Sequence, residues 1–532
     1  MKIWFDSFLY LNDIRERYVG HIENFPRGEY ECDPAPSIPS GDCYGVWSRY
    51  NTWTHFLPGQ EYLSYVAEHR LQLANTLHIQ PCDASHWLIC NPIDAGNIAV
   101  IDEEALSLLG NFHMPTTLRE GIVRRDASIT HLLPIIYIFL NLRFLYDLDQ
   151  EGVASSEQSG ASTLSAWLHI SNACNLACHY CYIPKSADHM EKNTSRQAVD
   201  AVIRSAVRHS YTGIHLKYAG GEAMLKLPQV IATHDYAQQQ AQEHDLRLSA
   251  SLLSNGTIMT QQMIAQLKER RIHVVISLDG IGAAHDQQRP YASGAKGSFA
   301  MVDRTISRLL ASGLRPSINV TVSQRNIAGL PMLLAYILER DLHFTLSYYR
   351  ENDCSASIID LQFSEEQMID GMSTALTYIE NHLPRRRIID SLIDKGDMRA
   401  PHHYTCGIGR DYLVINQRGE VAKCQADITR TITTIQADDP LHAIKTESTG
   451  MQAIDVDDKE GCNTCTWRYW CGGGCPLVTY RATGRNDLRS PNCAIYKALY
   501  PQAVRLEALR LLTYETPIVF ENPFSEVNLI RR

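Results

Sequence analysis

The sequence predicts an α/β fold whose central part is a barrel, or part of a barrel, of parallel strands. Three features indicate this: alternating strand-like and helical runs in the middle of the chain, a small polar stretch before them, and a cysteine-rich region after them. At 532 residues the chain is too long for one hydrophobic core, so about two to four domains are expected.

Six short runs in the middle of the chain have the composition of β-strands. They lie at residues 167–171, 214–219, 246–254, 272–278, 316–322 and 344–349. Amphipathic stretches such as 195–210, 261–271 and 299–312 separate them, and this alternation is typical of parallel βα units. Ligands of such barrels bind at the carboxyl ends of the strands, so the loops after the strands are expected to carry the function.

Two changes of composition mark the domain boundaries. The polar stretch at 151–165 predicts a linker, and a cysteine- and glycine-rich pattern begins near Pro401. We therefore divide the chain into an N-terminal domain at 1–155, the barrel at 160–395, a cysteine-rich domain at 400–500, and a C-terminal helix and tail at 501–532, with the helix predicted over 498–512.

The N-terminal domain is predicted to be a small α+β module that resembles a winged helix. A hairpin of 86–90 and 97–101 precedes helical patterns at 103–109, 118–125 and 132–145. Such a module can bind a peptide by strand addition, and packing or dimerisation is the alternative role. The apolar segment 132–146 is 15 residues long and includes Asn141 and Arg143, so a buried helix is predicted rather than a membrane span of about 20 residues.

Charge and the start of the chain exclude some classes of function. The formal net charge is -10, and no long Lys/Arg run is present, so a nucleic-acid partner is not expected. The first residues lack the continuous apolar core of a secretory signal. The expectation is a cytoplasmic protein without a membrane partner.

Fifteen cysteines in a cytoplasmic chain of this size point to metal or redox chemistry rather than disulfides. Ten of them occur in clusters. The other five are scattered and are expected to be buried structural thiols: Cys32, Cys43, Cys82, Cys90 and Cys354.

The first cluster, Cys174, Cys178 and Cys181, follows the first predicted strand with CxxxCxxC spacing. Zinc is the alternative metal, but zinc sites usually take four protein ligands, and no suitable fourth Cys or His follows closely. His179 lies within the loop and would be strained if it turned inward. A four-iron cluster held by three thiolates leaves one iron open, and that iron can chelate an amino and a carboxylate group.

The segment 172–182, Asn-Ala-Cys-Asn-Leu-Ala-Cys-His-Tyr-Cys-Tyr, resembles the signature loop of the radical SAM (S-adenosylmethionine) superfamily. The Gly-Gly-Glu turn at 220–222, Ser-Asn-Gly-Thr at 254–257 and Ile-Ser-Leu-Asp-Gly at 276–280 are similar to the family's strand ends, in the same order. The resemblance implies a partial (β/α)6 TIM-like barrel. It also implies one-electron cleavage of SAM to methionine and a 5′-deoxyadenosyl radical that abstracts a substrate hydrogen.

The resemblance further implies which residues bind SAM. Glu222 would bind the methionine ammonium, and Ser277 would meet the ribose and carboxylate side. Tyr180 would pack over the adenine, with core packing as the alternative. Arg289 would pair with a carboxylate, although an exposed arginine on a helix face fits its position equally well. The implied cofactor-binding set is Tyr180, Gly220, Gly221, Glu222, Asn255, Ser277 and Arg289.

The second cysteine set begins with Cys406, followed after 12 residues by Gly419 and after four more by Cys424. Cys462-x2-Cys465-x5-Cys471-x3-Cys475 and Cys493 complete it. This order resembles the SPASM domain, the auxiliary-cluster module of radical SAM enzymes that modify peptides and proteins. A pair of zinc knuckles is the alternative.

The SPASM resemblance implies two auxiliary [4Fe–4S] clusters, three in all with the SAM site. Cys462, Cys465, Cys471 and Cys493 would hold one, and Cys406, Cys424 and Cys475 would hold the other. The second cluster then lacks a fourth ligand, for which Cys354, a histidine such as His403, or the substrate are the candidates.

The function expected from both resemblances is the maturation of a ribosomally made precursor peptide by a C–C, C–O or C–S cross-link or a related change. Its partners would be that peptide, leader plus core, and an electron donor such as ferredoxin or flavodoxin. Sulfatase-maturing relatives have an acidic residue directly after the second SPASM cysteine, where this chain has Gln425, although Asp427 lies close by. An enzyme acting on a small molecule and a non-catalytic electron carrier remain alternatives.

Overall fold

The computed structural model describes residues 1–6, 68–94, 96–122, 129–149, 162–295 and 297–519. Its N-terminal part consists of two antiparallel sheets and three helices. The strands are β1 (Lys2–Phe5), β2 (Arg70–Leu73), β3 (His78–Pro81), β4 (His86–Cys90), β5 (Ile98–Asp102), β6 (Thr116–Thr117) and β7 (Leu145–Asp147). The helices are α1 (Glu103–Leu109), α2 (Leu118–Ile122) and α3 (Ile129–Asn141). The predicted hairpin, now β4 and β5, is confirmed, and a helix is found in each of the three predicted ranges, although α2 is described only to Ile122 because residues 123–125 lie outside the described residues.

The apolar segment 132–146 is a helix over only part of its length. The prediction of a buried helix is confirmed as far as Asn141 and is wrong beyond it, because Arg143 adopts a φ of 58° and reverses the chain. The Phe144 N–H then donates to Phe139 O at 2.8 Å, the bond that closes a helix with a left-handed residue at its end. Leu145 and the next two residues form β7 instead.

The six strands predicted for the middle of the chain are confirmed. They are β8 (Thr163–Ser171), β9 (Gly213–Gly220), β10 (Arg247–Ser254), β11 (His273–Ser277), β12 (Ser317–Val322) and β13 (His343–Tyr348). Every neighbouring pair is parallel, in the order of the sequence. The six strands therefore form a partial barrel whose loops after the strands all lie at one end.

Helices cover the outside of this partial barrel. They are α4 (Lys192–Arg208), α5 (Leu227–Glu243), α6 (Gln261–Glu269), α7 (Ala283–Gln288), α8 (Phe299–Ala311), α9 (Leu330–Glu339) and α10 (Glu365–Glu380). The strands alternate accordingly: in β12, Ile318, Val320 and Val322 are buried in the main core, whereas the residues between them are half-buried. The apolar face of the strands thus packs on the helices, and the polar face lines the interior of the barrel.

The cysteine-rich region adds three strands to the same sheet, which its composition did not predict. They are β14 (Tyr412–Ile415), β15 (Glu420–Ala422) and β16 (Thr431–Thr434). β14 pairs in parallel with β8, so the sheet has nine strands in the order β13-β12-β11-β10-β9-β8-β14-β15-β16. Three short helices follow, α11 (Pro440–Thr446), α12 (Arg468–Cys471) and α13 (Pro476–Thr483).

A long C-terminal helix joins the cysteine-rich region to the N-terminal sheet. This helix, α14 (Cys493–Tyr514), is longer than the predicted span, and β17 (Ile518–Val519) follows it. β17 pairs with β1, which gives the N-terminal sheet the order β17-β1-β5-β4-β3. Arg510 of α14 is 2% exposed and bonds to Glu507 at 2.7 and 2.9 Å and to Asp6 at 3.2 Å. The two ends of the described chain are therefore held together by a buried ion pair as well as by the sheet.

Among the described helices, none combines the length and the apolar character that crossing a membrane requires. Of the five scattered cysteines, Cys82 and Cys90 are buried as expected, whereas Cys354 is exposed, so that expectation is wrong for Cys354. Cys354 is exposed because it lies in the irregular segment after β13 rather than in a packed element. Cys32 and Cys43 lie outside the described residues.

Candidate functional site

The first cysteine cluster lies in the loop after β8, at the carboxyl end of the partial barrel. Cys174, Cys178 and Cys181 are all half-buried. The segment after α7 runs along this loop and holds it through backbone hydrogen bonds: Ala177 N to Pro290 O at 2.8 Å, His179 N to Gln288 O at 3.2 Å, and Ala292 N to Asn175 O at 3.0 Å. His179 does not turn inward, since its Nδ1 lies 2.7 Å from Arg325 Nη1.

Gly220 and Gly221 bring the end of β9 against the backbone of the cysteine loop. Gly220 has a φ of 148°, and a Cβ there would lie 2.3 Å from Ser171 O. A Cβ on Gly221 would lie 2.4 Å from Ala173 O. The sequence predicted that these glycines allow close approach to a ligand; their described contacts are with the loop that presents Cys174.

Glu222 is 1% exposed and joins the ends of two strands. Its Oε1 accepts hydrogen bonds from Met224 N and Ser254 Oγ, both at 2.9 Å, and its Oε2 accepts one from Asn255 N at 2.7 Å. Burial raises the pKa of this carboxyl, and the three hydrogen bonds oppose the rise. A carboxylate has about four acceptor positions, so one remains for an ammonium such as that of methionine.

Asn255 connects the end of β10 to the cysteine loop. Its Nδ2 donates to Asn175 Oδ1 at 2.9 Å and lies 3.8 Å from Cys174 Sγ. Its Oδ1 accepts from Thr257 N at 3.0 Å and Thr257 Oγ1 at 2.7 Å. These neighbours position Asn255 so that it contacts Cys174. The sequence predicted Asn255 as a SAM-binding residue and did not predict this contact.

A buried network follows β11. Arg289 is 7% exposed, so the alternative of an exposed arginine is excluded, and its Nη1 pairs with Asp279 Oδ2 at 3.3 Å. The Tyr180 hydroxyl donates to the same carboxylate oxygen at 2.5 Å and also contacts Arg289. Ser277, predicted to face SAM, is half-buried, and its hydroxyl forms no hydrogen bond with a described residue.

Asp279 is the residue of this network that sequence reasoning did not select. Its side chain is fully buried, and its Oδ1 also accepts a hydrogen bond from Thr321 N at 2.8 Å. Two features could have indicated Asp279 from the sequence: it lies in the segment 276–280, two residues after the selected Ser277, and a buried carboxylate needs a partner. Asp279 fixes the positions of Arg289 and Tyr180.

Arg289 also acts on the cysteine loop electrostatically. Burial raises the pKa of Cys178 to about 11, and Arg289 opposes this rise, whereas the thiolates of Cys181 and Cys174 add to it. A cation at this place therefore stabilises the thiolate, the form that binds metal.

Four of the seven cysteines of the second set line one cavity. Cys462, Cys465, Cys471 and Cys493 surround it, together with Trp467, Arg468, Tyr496, Lys497 and Tyr500. Its empty volume is about 300 Å³, including the solvent at its mouth. This is the group of four that the SPASM resemblance assigned to one cluster.

The other three cysteines lie together in a separate apolar core. Cys406, Cys424 and Cys475 pack there with Trp167 and Tyr412. Arg350 Nε donates to Cys475 Sγ at 3.4 Å, and its Nη2 bonds to Asp394 at 2.8 and 2.9 Å. Burial raises the pKa of Cys475, but Arg350 and Lys395 more than offset this, so the net shift is downward.

Neither protein candidate for the fourth ligand lies with these three cysteines. Cys354 lies on the side of the first cluster, with its Sγ 3.8 Å from Tyr182 O, and Cys181 acts on its pKa. His403 Nδ1 lies 3.0 Å from Asp455 Oδ1, and its ring lies against Tyr469. Both side chains have described partners elsewhere.

Comparison with known proteins agrees with this geometry. Residues 168–331 match the family model of the radical SAM superfamily. This part of the chain is a radical SAM domain. It contains the cysteine loop, the Gly-Gly-Glu turn and the Asp279 network, and the radical SAM family binds SAM and a four-iron cluster.

Three curated proteins are similar to parts of this chain. Fe-coproporphyrin III synthase of Methanosarcina barkeri is 25% identical over 33% of this chain and 41% of its own length. Sporulation killing factor maturation protein SkfB of Bacillus subtilis is 27% identical over 34% and 40%. PqqA peptide cyclase of Xanthomonas euvesicatoria is 26% identical over 49% and 68%. The chain thus spans about two fifths of the length of the first two.

A solved structure shares the fold. The structure of native anSMEcpe with bound AdoMet and Cp18Cys peptide superposes with a TM-score of 0.51 at 16% identity, over 66% of this chain and 99% of that one. At this identity the likeness concerns the fold alone.

The side chains of the radical SAM domain fit a four-iron cluster and SAM. Zinc, at about 2.3 Å from each thiolate, would draw the sulfurs to about 3.8 Å apart. Among the described residues, only His403, Asp455 and Asp457 have three ligand atoms within 4.8 Å of one another, so the cysteine sets are too wide for one ion. Arg289 Nε is buried without a hydrogen-bond partner, and it is available to an anion such as the SAM carboxylate.

Proposed function

We propose that this chain is a radical SAM/SPASM enzyme that abstracts a hydrogen from a ribosomally made precursor peptide and oxidises the peptide, forming a cross-link or a related change. The observation that carries the proposal is the division of the second cysteine set into one cavity with four cysteines and one core with three. Relatives named for peptide maturation and peptide cyclisation support a peptide substrate.

Bound together, the four-iron cluster and SAM supply reductive cleavage of SAM to methionine and a hydrogen-abstracting 5′-deoxyadenosyl radical. The chain's own residues bind and orient these groups. In the proposal Cys174, Cys178 and Cys181 hold the cluster, Glu222 accepts from the methionine ammonium, and Arg289 Nε donates to its carboxylate. Asp279 keeps Arg289 and Tyr180 in place, and the burial of the Asp279–Arg289 ion pair excludes water from it.

The two auxiliary cysteine groups would complete the oxidation. After hydrogen abstraction the substrate must lose one more electron and a proton, and two auxiliary [4Fe–4S] clusters provide an electron acceptor and a path to an external carrier such as ferredoxin or flavodoxin. Cys462, Cys465 and Cys493 line a cavity with a mouth open to solvent, which favours this group as the exit toward that carrier.

The N-terminal domain is proposed to bind the leader segment of the peptide. β3 is an edge strand: within the described part of the chain it pairs with β4 alone, and strand addition needs such an edge. The His78 ring of β3 lies 5.0 Å from the Trp467 ring, which lines the cavity of Cys462. A leader bound at β3 would therefore lie beside the cysteine-rich region.

Two other activities are less well supported. For a sulfatase-type oxidation the position after Cys424 holds Gln425, whose Oε1 accepts from Tyr412 Oη at 3.1 Å, and the nearby acid Asp427 is paired with Arg481 at 3.2 Å. A small-molecule substrate has one supporting observation, the relative named Fe-coproporphyrin III synthase. A pure electron carrier needs no pocket of the kind formed by Glu222, Ser277 and Arg289.

The test is anaerobic reconstitution, followed by iron and sulfide counting and by assay of 5′-deoxyadenosine after reduction with SAM. Three [4Fe–4S] clusters require about 12 irons per chain. Replacing Cys174, Cys178 and Cys181 with Ala is expected to abolish deoxyadenosine and to lower the count by about four. Zinc in place of iron, with no deoxyadenosine, would disprove the proposal.

The substrate class is tested by incubating the reconstituted enzyme with a precursor peptide encoded beside its gene. Mass spectrometry is expected to find a loss of two hydrogens from the peptide and one deoxyadenosine per modified chain. A synthetic core without its leader is the matched control, and it should be modified far more slowly if the N-terminal domain binds the leader.

A further inference from the structure

The two auxiliary cysteine groups are joined by a short glycine segment. Gly472, Gly473 and Gly474 lie between Cys471 of the four-cysteine cavity and Cys475 of the three-cysteine core. All three have left-handed φ angles of 58°, 80° and 73°. A Cβ on Gly472 would lie 2.6 Å from Thr405 N, so the segment is packed tightly between the two groups.

A lysine is buried against this segment. Lys459 is 2% exposed, and a Cβ on Gly473 would lie 2.7 Å from its Cδ. Its Nζ donates to Gly473 O at 3.4 Å, and within the described part of the chain this is its only hydrogen bond. No described carboxylate forms an ion pair with it. The Lys459 carbonyl accepts a hydrogen bond from Cys462 N at 3.0 Å, and Gly473 is two residues from both Cys471 and Cys475, so the buried lysine lies between the two auxiliary groups.

A lone buried ammonium is costly unless anions lie nearby. Moving such a charge out of water costs several kcal/mol after relaxation. One long hydrogen bond to a carbonyl does not offset this. The thiolates of both groups are thus the anions that can balance the buried charge.

We propose that Lys459 is a shared positive charge between the two auxiliary clusters and raises the reduction potential of both. The inference rests on the proposed function, because it requires clusters in both cysteine groups. Reduction adds one negative charge to a cluster, and a cation buried within the same low-dielectric region stabilises that charge. Lys459 is a positioning residue: by raising both potentials it favours transfer of an electron from the substrate to the auxiliary clusters.

The experiment uses the full-length chain with Cys174, Cys178 and Cys181 replaced by Ala, so that the auxiliary clusters alone are observed. After anaerobic reconstitution, each variant is titrated with dithionite and followed by electron paramagnetic resonance. Lys459→Met is expected to raise the oxidised-to-reduced ratio of both clusters at least tenfold at a fixed potential. For a one-electron couple this corresponds to a midpoint potential lower by about 59 mV. Lys459→Arg should restore most of the potential.

Lys192→Met is the matched control. Lys192 is exposed at the start of α4 and lines neither auxiliary group, so water and salt screen its charge, and its loss should change the ratio less than twofold. Midpoints that agree between Lys459→Met and the parent, at equal iron content, would overturn the inference and leave the proposed function intact. Absence of iron from the parent would overturn both.

Lys459→Gln covers the case in which Lys459→Met does not bind iron. If neither neutral variant binds iron while Lys459→Arg does, the requirement for a positive charge is upheld through cluster binding. If Lys459→Arg also fails to bind iron while Lys192→Met binds it normally, the shape of the side chain rather than its charge is what matters, and the inference is wrong.

Discussion

Replacing Glu222 with Gln tests whether this residue fastens the strand ends around the first cysteine loop. Glu222 accepts three hydrogen bonds, and a glutamine of the same shape has one oxygen. If that oxygen still accepts the hydrogen bonds from Met224 N and Ser254 Oγ, the amide nitrogen of the glutamine faces the Asn255 N–H. Both of these groups are donors, so no hydrogen bond forms between them. Asn255 N–H is then buried without an acceptor.

The magnitude follows from these contacts. An unsatisfied buried donor costs about 1–3 kcal/mol, and the two remaining bonds lose their charge assistance. Removing a buried carboxylate offsets part of this, because burial disfavours its ionised form. We expect a net local destabilisation of about 1–3 kcal/mol, which corresponds to about 5- to 160-fold faster opening.

Hydrogen–deuterium exchange measures this opening at the affected amide. The cluster-free protein is compared with Glu222→Gln, and exchange is read in peptides that cover 253–258. Glu243→Gln is the control, since Glu243 is exposed near the end of α5 and bonds only to nearby glutamines. Equal exchange at 253–258 in the parent and Glu222→Gln would refute a structural role. If Glu222→Gln then weakened SAM binding without changing this exchange, contact with the methionine ammonium would be the only supported role of Glu222.

Three further predictions follow from other contacts. Arg510→Met should lower the free energy of unfolding by about 3–5 kcal/mol in urea titrations, because it leaves Glu507 buried without its main partner. Arg485 is exposed, so Arg485→Met should lower it by at most about 1 kcal/mol. Hydrogen bonds from Lys423 and Thr449 hold the pKa of Glu447 at about 2 against the opposing effect of burial. The stabilising contribution of Glu447 is present above its ordinary pKa of 4.5 and is lost as the pH falls toward 2. In thermal melts, Glu447→Gln should therefore have a lower melting temperature than the parent at neutral pH and the same melting temperature near pH 2. Cys354→Ser should leave the iron content unchanged, and a loss of about one cluster would show that Cys354 is a ligand after all.

The sequence predicted the barrel strands closely because each has its own local signal. Runs such as that of β12 alternate apolar and polar residues with a period of two, and amphipathic helices separate them. The end of α3 was missed because Arg143 in a left-handed conformation has no clear sequence signal. β14 was missed because it has only four residues, all of them buried, and its pairing with β8 joins segments far apart in the chain.

The CxxxCxxC spacing determined that Cys174, Cys178 and Cys181 belong together, and the resemblance to the SPASM domain implied how the seven later cysteines divide into two groups. Only the tertiary structure decided the electrostatics around them. Arg350 lies beside Cys475 from 125 residues away, and Asp279 beside Arg289 and Lys459 against Gly473 join positions 10 and 14 residues apart that no motif links. A charge acts through distance and burial, and neither quantity is written in the spacing of residues along the chain.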